Sequence, residues 1–390
     1  MTINNEHKKL NVPNLRFPEF QGEWEKCKLG ELTTKVGSGS TPKGGNAVYT
    51  SVGHCFVRSQ NVGMGYLILD DIAHIDDDIH KKHKATELSE DDVLLNITGA
   101  SIGRTAIATK EIEGGNVNQH VCIIRANSKV SPKFLCNYIQ TKKIQNYIRS
   151  LQTGGSREGL NFDQIRSFPI SLPSIAEQNK IAQLLDKLNE RIATQNKIIE
   201  DLKKLKSAIS KKLLCNDKWT TYKIQDIAEI GRGRVISSVE IDRQKHPLYP
   251  VYSSQTSNNG IMGYLDNYMF DGEYITWTTD GANAGTVFYR KGKFNCTNVC
   301  GTLKILPKFD CYFVSLVLQQ ATQKYVSSNL ANPKLMNNTM ASIKIRMPNI
   351  ETQKQLSKVF QTLDSCLLVH QRTCKMYLSE KQYLLRQMFI

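Results

Sequence analysis

The sequence predicts an α+β fold in which two pseudo-symmetric α/β domains are separated by two long antiparallel coiled-coil helices. Three observations predict it. The first is a helical seam written twice: Ile181, Leu185, Leu188, Ile192, Gln195, Ile199, Leu202, Lys206, Ile209 and Leu213 step by alternating fours and threes, the coiled-coil spacing. Adding 175 to each number gives Leu356, Phe360, Leu363, Leu367, His370, Cys374, Tyr377, Lys381, Leu384 and Met388, with the polar steps Gln195/His370 and Lys206/Lys381 in phase. The second is the approach to each seam, where Ser171-Leu172-Pro173 and Glu177-Gln178 recur as Arg346-Met347-Pro348 and Thr352-Gln353. The third is repetition upstream at drifting offsets: Trp24 recurs as Trp219, Gly99-Ala100-Ser101-Ile102-Gly103 as Gly281-Ala282-Asn283-Ala284-Gly285, and Tyr147-Ile148 as Tyr325-Val326. One unit has been duplicated, and its variable length lies inside the globular parts.

Residues 1–170 form the first globule. Trp24, Lys28-Leu29 and Leu32 open it, matched later by Trp219, Lys223-Ile224 and Ile227. Val93–Ile97 and Val121–Ile124 are short β-prone runs, and Pro132–Ile148 reads as helical with Phe134, Leu135, Tyr138 and Ile139 on one face. Residues 171–216 are the first helical region, starting after Pro173 as helices commonly do after proline. Residues 217–345 repeat the globule, with strands at Tyr274–Trp277 and Thr302–Ile305 and a helix over Phe309–Val326. Residues 346–390 repeat the helical region. About forty helical residues at roughly 1.5 Å each make a rod of about 60 Å. Only Cys215–Lys218 separate the first helix from Trp219, so parallel helices would force the second globule to bridge the whole rod. Antiparallel packing removes that demand and predicts globules at opposite ends of a spacer, related by a pseudo-twofold axis.

Composition narrows the function. The chain has 390 residues, 40% of them hydrophobic, enough for two cores, and no stretch has the apolar length needed to span a bilayer. Met1–Leu10 is polar with Lys8-Lys9, without the apolar run of a secretory signal. Ten cysteines without a CxxC pair fit reduced thiols, and together these features predict a cytoplasmic protein. The net charge of +15 points to a polyanionic partner, although positive charge also serves solubility. Arg232 and Arg234 in a Gly-Arg-Gly-Arg turn, and Arg58, Arg104 and Arg157 in polar, glycine-containing stretches, are placed where side chains can reach a ligand.

Catalytic signatures are missing from the residues. There are no adjacent prolines, as the Asn/Asp-Pro-Pro-aromatic motif of amino-methyltransferases requires, and the sole Gly-Lys pair, Gly292-Lys293, runs into Phe294 and lacks a phosphate-binding loop. His80-Lys81-Lys82-His83 beside Asp76-Asp77-Asp78 reads as a charged, solvated segment rather than a metal site, and Cys296 and Cys300 read as strand cysteines.

Asn14-Leu15-Arg16-Phe17-Pro18-Glu19-Phe20 followed by Trp24, the Leu172–Gln178 helix start and the Thr98–Arg104 turn together resemble specificity (S) subunits of type I restriction-modification systems. The resemblance covers essentially the whole chain; the second helix start departs by Met347 for Leu and Thr352 for Glu. It implies two target-recognition domains reading the halves of a split double-stranded DNA target while the helices fix the gap. It implies a non-catalytic chain that binds no cofactor itself. Its partners would be two modification subunits, which use S-adenosylmethionine to methylate adenine N6, and restriction subunits, which use ATP and magnesium to translocate and cleave.

Residue chemistry, not the resemblance, selects the candidate DNA contacts, because Ser, Thr, Asn, Gln, Lys and Arg bond to phosphates and base edges. They are Ser40, Thr41, Lys43, Arg58, Gln60, Asn61, Arg104, Asn118, Gln119 and Arg157 in the first domain, and Arg232, Arg234, Ser254, Gln255, Asn258, Asn259 and Lys334 in the second. The same residue types are ordinary loop formers. Partner docking is expected on the outward helix faces, rich in Lys and Glu. Besides a DNA reader and scaffold, two other functions are open to these residues: a self-contained DNA-modifying enzyme, and a coiled-coil adaptor or regulator without a methyltransferase partner.

Overall fold

The computed structural model of the protein describes residues 10–152, 159–214, 217–327 and 332–390. They form two compact units: the described residues up to Lys197 with Gln371–Ile390, and Ile198–His370. The first unit carries β1 (Glu25–Lys28), β2 (Thr33–Ser38), β3 (His54–Val57), β4 (Ala73–Ile75), β5 (Val93–Asn96), β6 (Thr105–Ile107), β7 (Asn116–Val117), β8 (Val121–Ala126) and β9 (Pro169–Leu172). Its helices are α1 (Asp77–Lys82), α2 (Pro132–Ile139), α3 (Lys142–Ser150), α4 (Phe162–Arg166) and the start of α5 (Ile175–Leu213). The second carries β10 (Thr220–Lys223), β11 (Ala228–Arg232), β12 (Tyr249–Tyr252), β13 (Ile261–Leu265), β14 (Glu273–Thr278), β15 (Val287–Lys291), β16 (Asn295–Cys296), β17 (Cys300–Ile305) and β18 (Lys344–Met347). With them go α6 (Ser238–Asp242), α7 (Cys311–Ala321), α8 (Asn337–Ser342) and most of α9 (Ile350–Gln387).

The duplication extends to strand order and register. Each unit has a two-stranded ribbon (β1-β9, β10-β18), a four-stranded sheet (β2-β8-β5-β6, β11-β17-β14-β15) and a three-stranded sheet (β4-β3-β7, β13-β12-β16). Val36 faces Ile124 and Gly37 faces Ile123, as Ile230 faces Leu303 and Gly231 faces Thr302. The drift in offset has a local cause here. A β-bulge between Thr33 and Lys35 inserts one residue into β2 that β11 lacks. Trp24 meets Phe134 edge-on at 6.0 Å between ring centres, and Trp219 meets Phe313 likewise at 5.9 Å.

The helix starts show why the paired motif is written as it is. Ser174 and Asn349 cap α5 and α9, accepting the Glu177 and Thr352 N–H groups at 3.3 and 2.9 Å. Gln178, buried, donates to the Pro173 carbonyl at 2.9 Å and accepts the Ser131 N–H at 2.8 Å, pinning α5 to the segment that opens α2. Gln353 does the same with Pro348 and Asp310 at 2.8 and 3.0 Å. Gln178→Leu or Gln353→Leu strands a backbone N–H, so each should lower the stability of its unit by about 1–3 kcal/mol in urea or thermal unfolding. An unchanged midpoint would remove this role. At one position where the copies differ, Glu177 pairs with Arg16 of the first unit's opening segment at 2.8 Å, and the second copy has Thr352 in its place.

Each unit contains an antiparallel pair of helix segments. In the first, Ile181, Ala182 and Leu185 share a core with Leu385, Met388 and Phe389, Arg191 lies over the Tyr377 ring at 5.8 Å, and Asn196 meets Cys374 at 3.3 Å. In the second, Lys206 bonds to Asp364, which also accepts the Tyr312 hydroxyl at 2.6 Å, and Ile209 packs in a core with Leu356, Phe360 and Leu363. The seam positions Leu188 and Met388 are buried, while Ile192, Ile199, Leu202, Leu367 and Leu384 are half-buried. The expectation differs at Leu213, which is 36% exposed; Leu214 turns into the second core in its place.

Further expectations are corrected. Pro132–Ile148 is two helices, because Gln140 closes α2 and Thr141 caps α3 by accepting the Ile144 N–H. Residues 322–325 likewise tighten into a 3₁₀ turn after α7. The boundaries at 170/171 and 345/346 cut through β9 and β18, and the helical regions are not separate domains, since their residues are shared between the two units. His80 is not solvated: it is buried, its ring stacked on His54 at 3.7 Å, with Nδ1 bonded to Asn116 at 2.8 Å.

Candidate nucleic-acid interface

In each unit one place gathers the loops at the end of the four-stranded sheet. It is built by a crossing between the first strand of that sheet and the third strand of the smaller one. At Gly39, just past β2, an added Cβ would lie 1.6 Å from the Val117 carbonyl oxygen. At Gly233, just past β11, it would lie 2.1 Å from the Cys296 oxygen and 2.4 Å from that of Thr297. Only glycine allows this approach, and the predicted Ser40 and Thr41 follow it directly in one unit, while Arg232 and Arg234 flank it in the other.

In the first unit, exposed Ser40, Thr41 and Lys43 follow the crossing. The Thr41 hydroxyl donates to Gln119, Gln119 Nε2 meets His120 Nε2 at 3.1 Å, and His120 Nδ1 bonds to the Thr98 hydroxyl at 2.5 Å. Thr98 opens the glycine turn that ends at exposed Arg104, and it pairs with Gly159 across a β-bridge. Thr41, Gln119 and the Thr98–Arg104 turn therefore belong to one surface, and among the described residues neither Lys43 nor Arg104 has an ion-pair partner. Such cations keep their charge available to a polyanion.

Other expectations for this unit are corrected. Asn61 is 1% exposed; its Oδ1 accepts the Arg58 N–H at 3.0 Å and its Nδ2 donates to the Ile68 carbonyl at 2.9 Å. Asn118 is 7% exposed, and its Oδ1 accepts the His120 N–H at 3.0 Å. The Asn61 amide and the Asn118 amide oxygen thus serve local turn geometry. Arg58 and Gln60 are turned onto Asp71, the former donating to its carbonyl at 2.9 Å and the latter to its carboxylate at 3.0 Å. Arg157 lies outside the described residues.

In the second unit a carboxylate occupies the place of Thr98. Asp280 receives the Thr279 hydroxyl at 2.6 Å, with Arg232 at 3.7 Å and Lys334 at 3.9 Å on either side. Its backbone pairs with Lys334 across a bridge equivalent to Thr98–Gly159. Arg232 and Lys334 are thus brought together with a residue that sequence reasoning missed, although the match between Thr98-Gly99 and Asp280-Gly281 was a usable signal. Arg234 is engaged by Glu240 of α6 in a bidentate pair, and the guanidinium holds the Glu240 carboxyl below the usual carboxylate range.

The remaining predicted residues sit on the loop joining β12 to β13. Asn258 and Asn259 are exposed, both in the left-handed region at φ 47° and 55°, which asparagine tolerates better than most residues. The Gln255 amide donates to the Ile261 carbonyl, and the Ser254 carbonyl accepts from Asn283 at 3.2 Å, so these two residues anchor the loop. No group of three or more His, Cys, Asp or Glu suited to a metal occurs among the described residues. No helix is long and apolar enough to cross a membrane among those residues.

Comparison with known proteins places this architecture. The sequence profile of the type I restriction modification DNA specificity domain matches twice, over residues 21–204 and 216–375. A Mycoplasma pneumoniae protein described as a type I specificity subunit is 39% identical over 194 residues, covering 49% of this chain and 81% of the relative. The specificity subunit of the MpnII type I restriction enzyme from the same organism is 42% identical over 145 residues, covering 37% of this chain and 43% of its own. The crystal structure of the S subunit of a type I restriction-modification system from M. genitalium superposes with a TM-score of 0.71 at 16% identity, covering 97% of this chain and 99% of that one.

Proposed function

Because this chain belongs to the type I restriction modification DNA specificity family, we propose that its two units read the two halves of a bipartite, asymmetric DNA target. The carrying observation is the double match of the family profile, coinciding with two units that share one strand order and, apart from local bulges, one register. The two loop clusters differ in chemistry, hydroxyl and amide in one and Arg-Asp-Lys in the other, which suits two different half-sites. The antiparallel helix segments in each unit support a spacer that sets the gap. The chain itself is non-catalytic in this reading. It scaffolds modification subunits using S-adenosylmethionine and, where present, restriction subunits using ATP and magnesium, in the cytoplasm where the host DNA lies.

Charge geometry supports distinct roles for the exposed contacts. Arg104 and Lys43, unpaired at the rim, meet phosphates, a contact that positions the chain without reading sequence. Arg104→Ala should weaken binding to all DNA sequences alike and reduce the slope of log affinity against log salt by about 0.9. A variant that instead loses discrimination at one base would make Arg104 a base reader. Asp280, a carboxylate that repels phosphate, can approach only a donor edge such as the cytosine amino group. Asp280→Asn should relax the second half-site at one base pair by about 1–3 kcal/mol and leave the first unchanged, measured by binding to a panel of single-base variants. Equal affinity of the unaltered chain for all DNA sequences in complex with its modification partner would overturn the function.

A further inference from the structure

The duplicated units build the layer between their two sheets from different chemistry. In the first unit the facing positions of β5, β6 and β8 are Leu94, Ala106 and Ile123, with Ala108 just beyond, and all are buried in one apolar cluster. The matching positions of the second unit, fixed by the same register, are Thr276, Phe288, Thr302 and Arg290. Arg290 is 3% exposed, yet no carboxylate pairs with it among the described residues. Its Nε donates to the Thr276 hydroxyl at 3.2 Å, and its guanidinium lies 3.5 Å from the centre of the Tyr252 ring and 4.4 Å from that of Phe288. A buried cation without an anionic partner is a poor way to stabilise a core, and apolar replacements at such positions are often neutral or better.

What the arginine touches suggests why it stands there. Tyr252 ends β12, where the pairing with β13 slips, and the loop Ser253–Gly260 follows, its neck closed by the Ser253 N–H donating to the Gly260 carbonyl at 2.9 Å. Arg290 Nη2 lies 3.1 Å from where a Cβ on Gly260 would stand. Both ends of the loop thus rest on one planar guanidinium, and its tip carries the exposed, left-handed Asn258 and Asn259. Resting on the reading of the second unit as a DNA half-site reader, we propose that Arg290 is a positioning residue that holds the Ser253–Gly260 loop for sequence recognition by stacking on Tyr252 beneath it. The first unit, with Ala108 there, supports a different loop and needs no such pedestal. Lysine keeps the charge but not the planar stack, so it does not substitute.

The test uses the full chain expressed with its modification subunit, mapping the methylated motif in the host genome, alongside thermal melting of the purified chain. Arg290→Met and Arg290→Lys are each compared with the unaltered protein and with an Asn258→Ala/Asn259→Ala variant. The expected result is an unchanged first half of the motif and a degenerate second half for both Arg290 variants, with Arg290→Met melting no lower than the parent. Loss of all methylation by a variant that melts like the parent supports the same conclusion. An unchanged motif in Arg290→Lys, or a clear drop in melting temperature for Arg290→Met, overturns the positioning role. Failure of the underlying reading looks different: the unaltered chain would then give no second half-site for any variant to change.

Discussion

Replacing Arg16 with methionine should destabilise the first unit by about 3–5 kcal/mol, the range for removing one partner of a buried ion pair. Glu177 is 1% exposed and holds Arg16 through two bonds of 2.8 Å, to Nε and Nη2. The same guanidinium donates to the Gln21 and Gly22 carbonyls at 3.1 and 2.6 Å, so it ties the opening segment to α5. Without it the carboxylate stays buried with no counter-ion. Glu177→Met should cost less, because Arg16 is reached by solvent and retains its two carbonyls, and the double substitution should recover part of the loss. For a unit of this size the single Arg16 change corresponds to roughly 10 °C in melting temperature. A loss under about 1 kcal/mol, or equal costs for the two single changes, contradicts this account of the pair.

Gly39→Ala and Gly233→Ala should each cost at least about 3 kcal/mol, as expected when a new atom meets a backbone that cannot yield. The clashes are with main-chain oxygens, at 1.6 Å for Gly39 and 2.1 Å for Gly233, not with the movable end of a side chain. Relief requires the strand leaving the four-stranded sheet to move off the smaller one, which displaces Ser40 and Thr41 or Arg232 and Arg234 from the loop cluster. Each substitution should therefore abolish recognition of one half-site only, with the other unit melting as before. Equal stability of Gly37→Ala and Gly39→Ala would contradict the argument, since a Cβ at Gly37 meets nothing within 4 Å.

Much of this was legible in the chain because a duplication supplies its own comparison. The 175-residue offset of Gln178 and Gln353 marked two helix starts, and the side chains prove to make the same two kinds of bond at each. Strands are expected at Val93–Ile97 and Tyr274–Trp277 from β-prone runs leading into glycine turns; they form at Val93–Asn96 and Glu273–Thr278, and the turns fall at the loop clusters. What stayed hidden depended on distances that no local pattern encodes. Asn61 and Asn118 have the composition of DNA contacts, but a backbone N–H three residues away for one and two for the other engages their amide oxygens first. His80 sits in a run of charges, yet its helix turns it onto His54, 26 positions earlier in the chain. Asp280 reads as an ordinary acid in a basic protein; the Thr98-Gly99/Asp280-Gly281 match marks its place, and the convergence of β11, the β14–β15 turn and Lys334 makes it the centre of the second cluster. Seam reading misplaced Leu213 because the coiled-coil phase ends where α5 ends and Leu214 answers to the globular core.

The most direct measurement maps N6-methyladenine by single-molecule sequencing in cells that express this chain with a type I modification subunit. The account predicts a motif in two parts with a constant gap, absent without the chain, with Asp280→Asn altering one half alone. A continuous motif, methylation that persists without the chain, or a single substitution that shifts both halves together would contradict it.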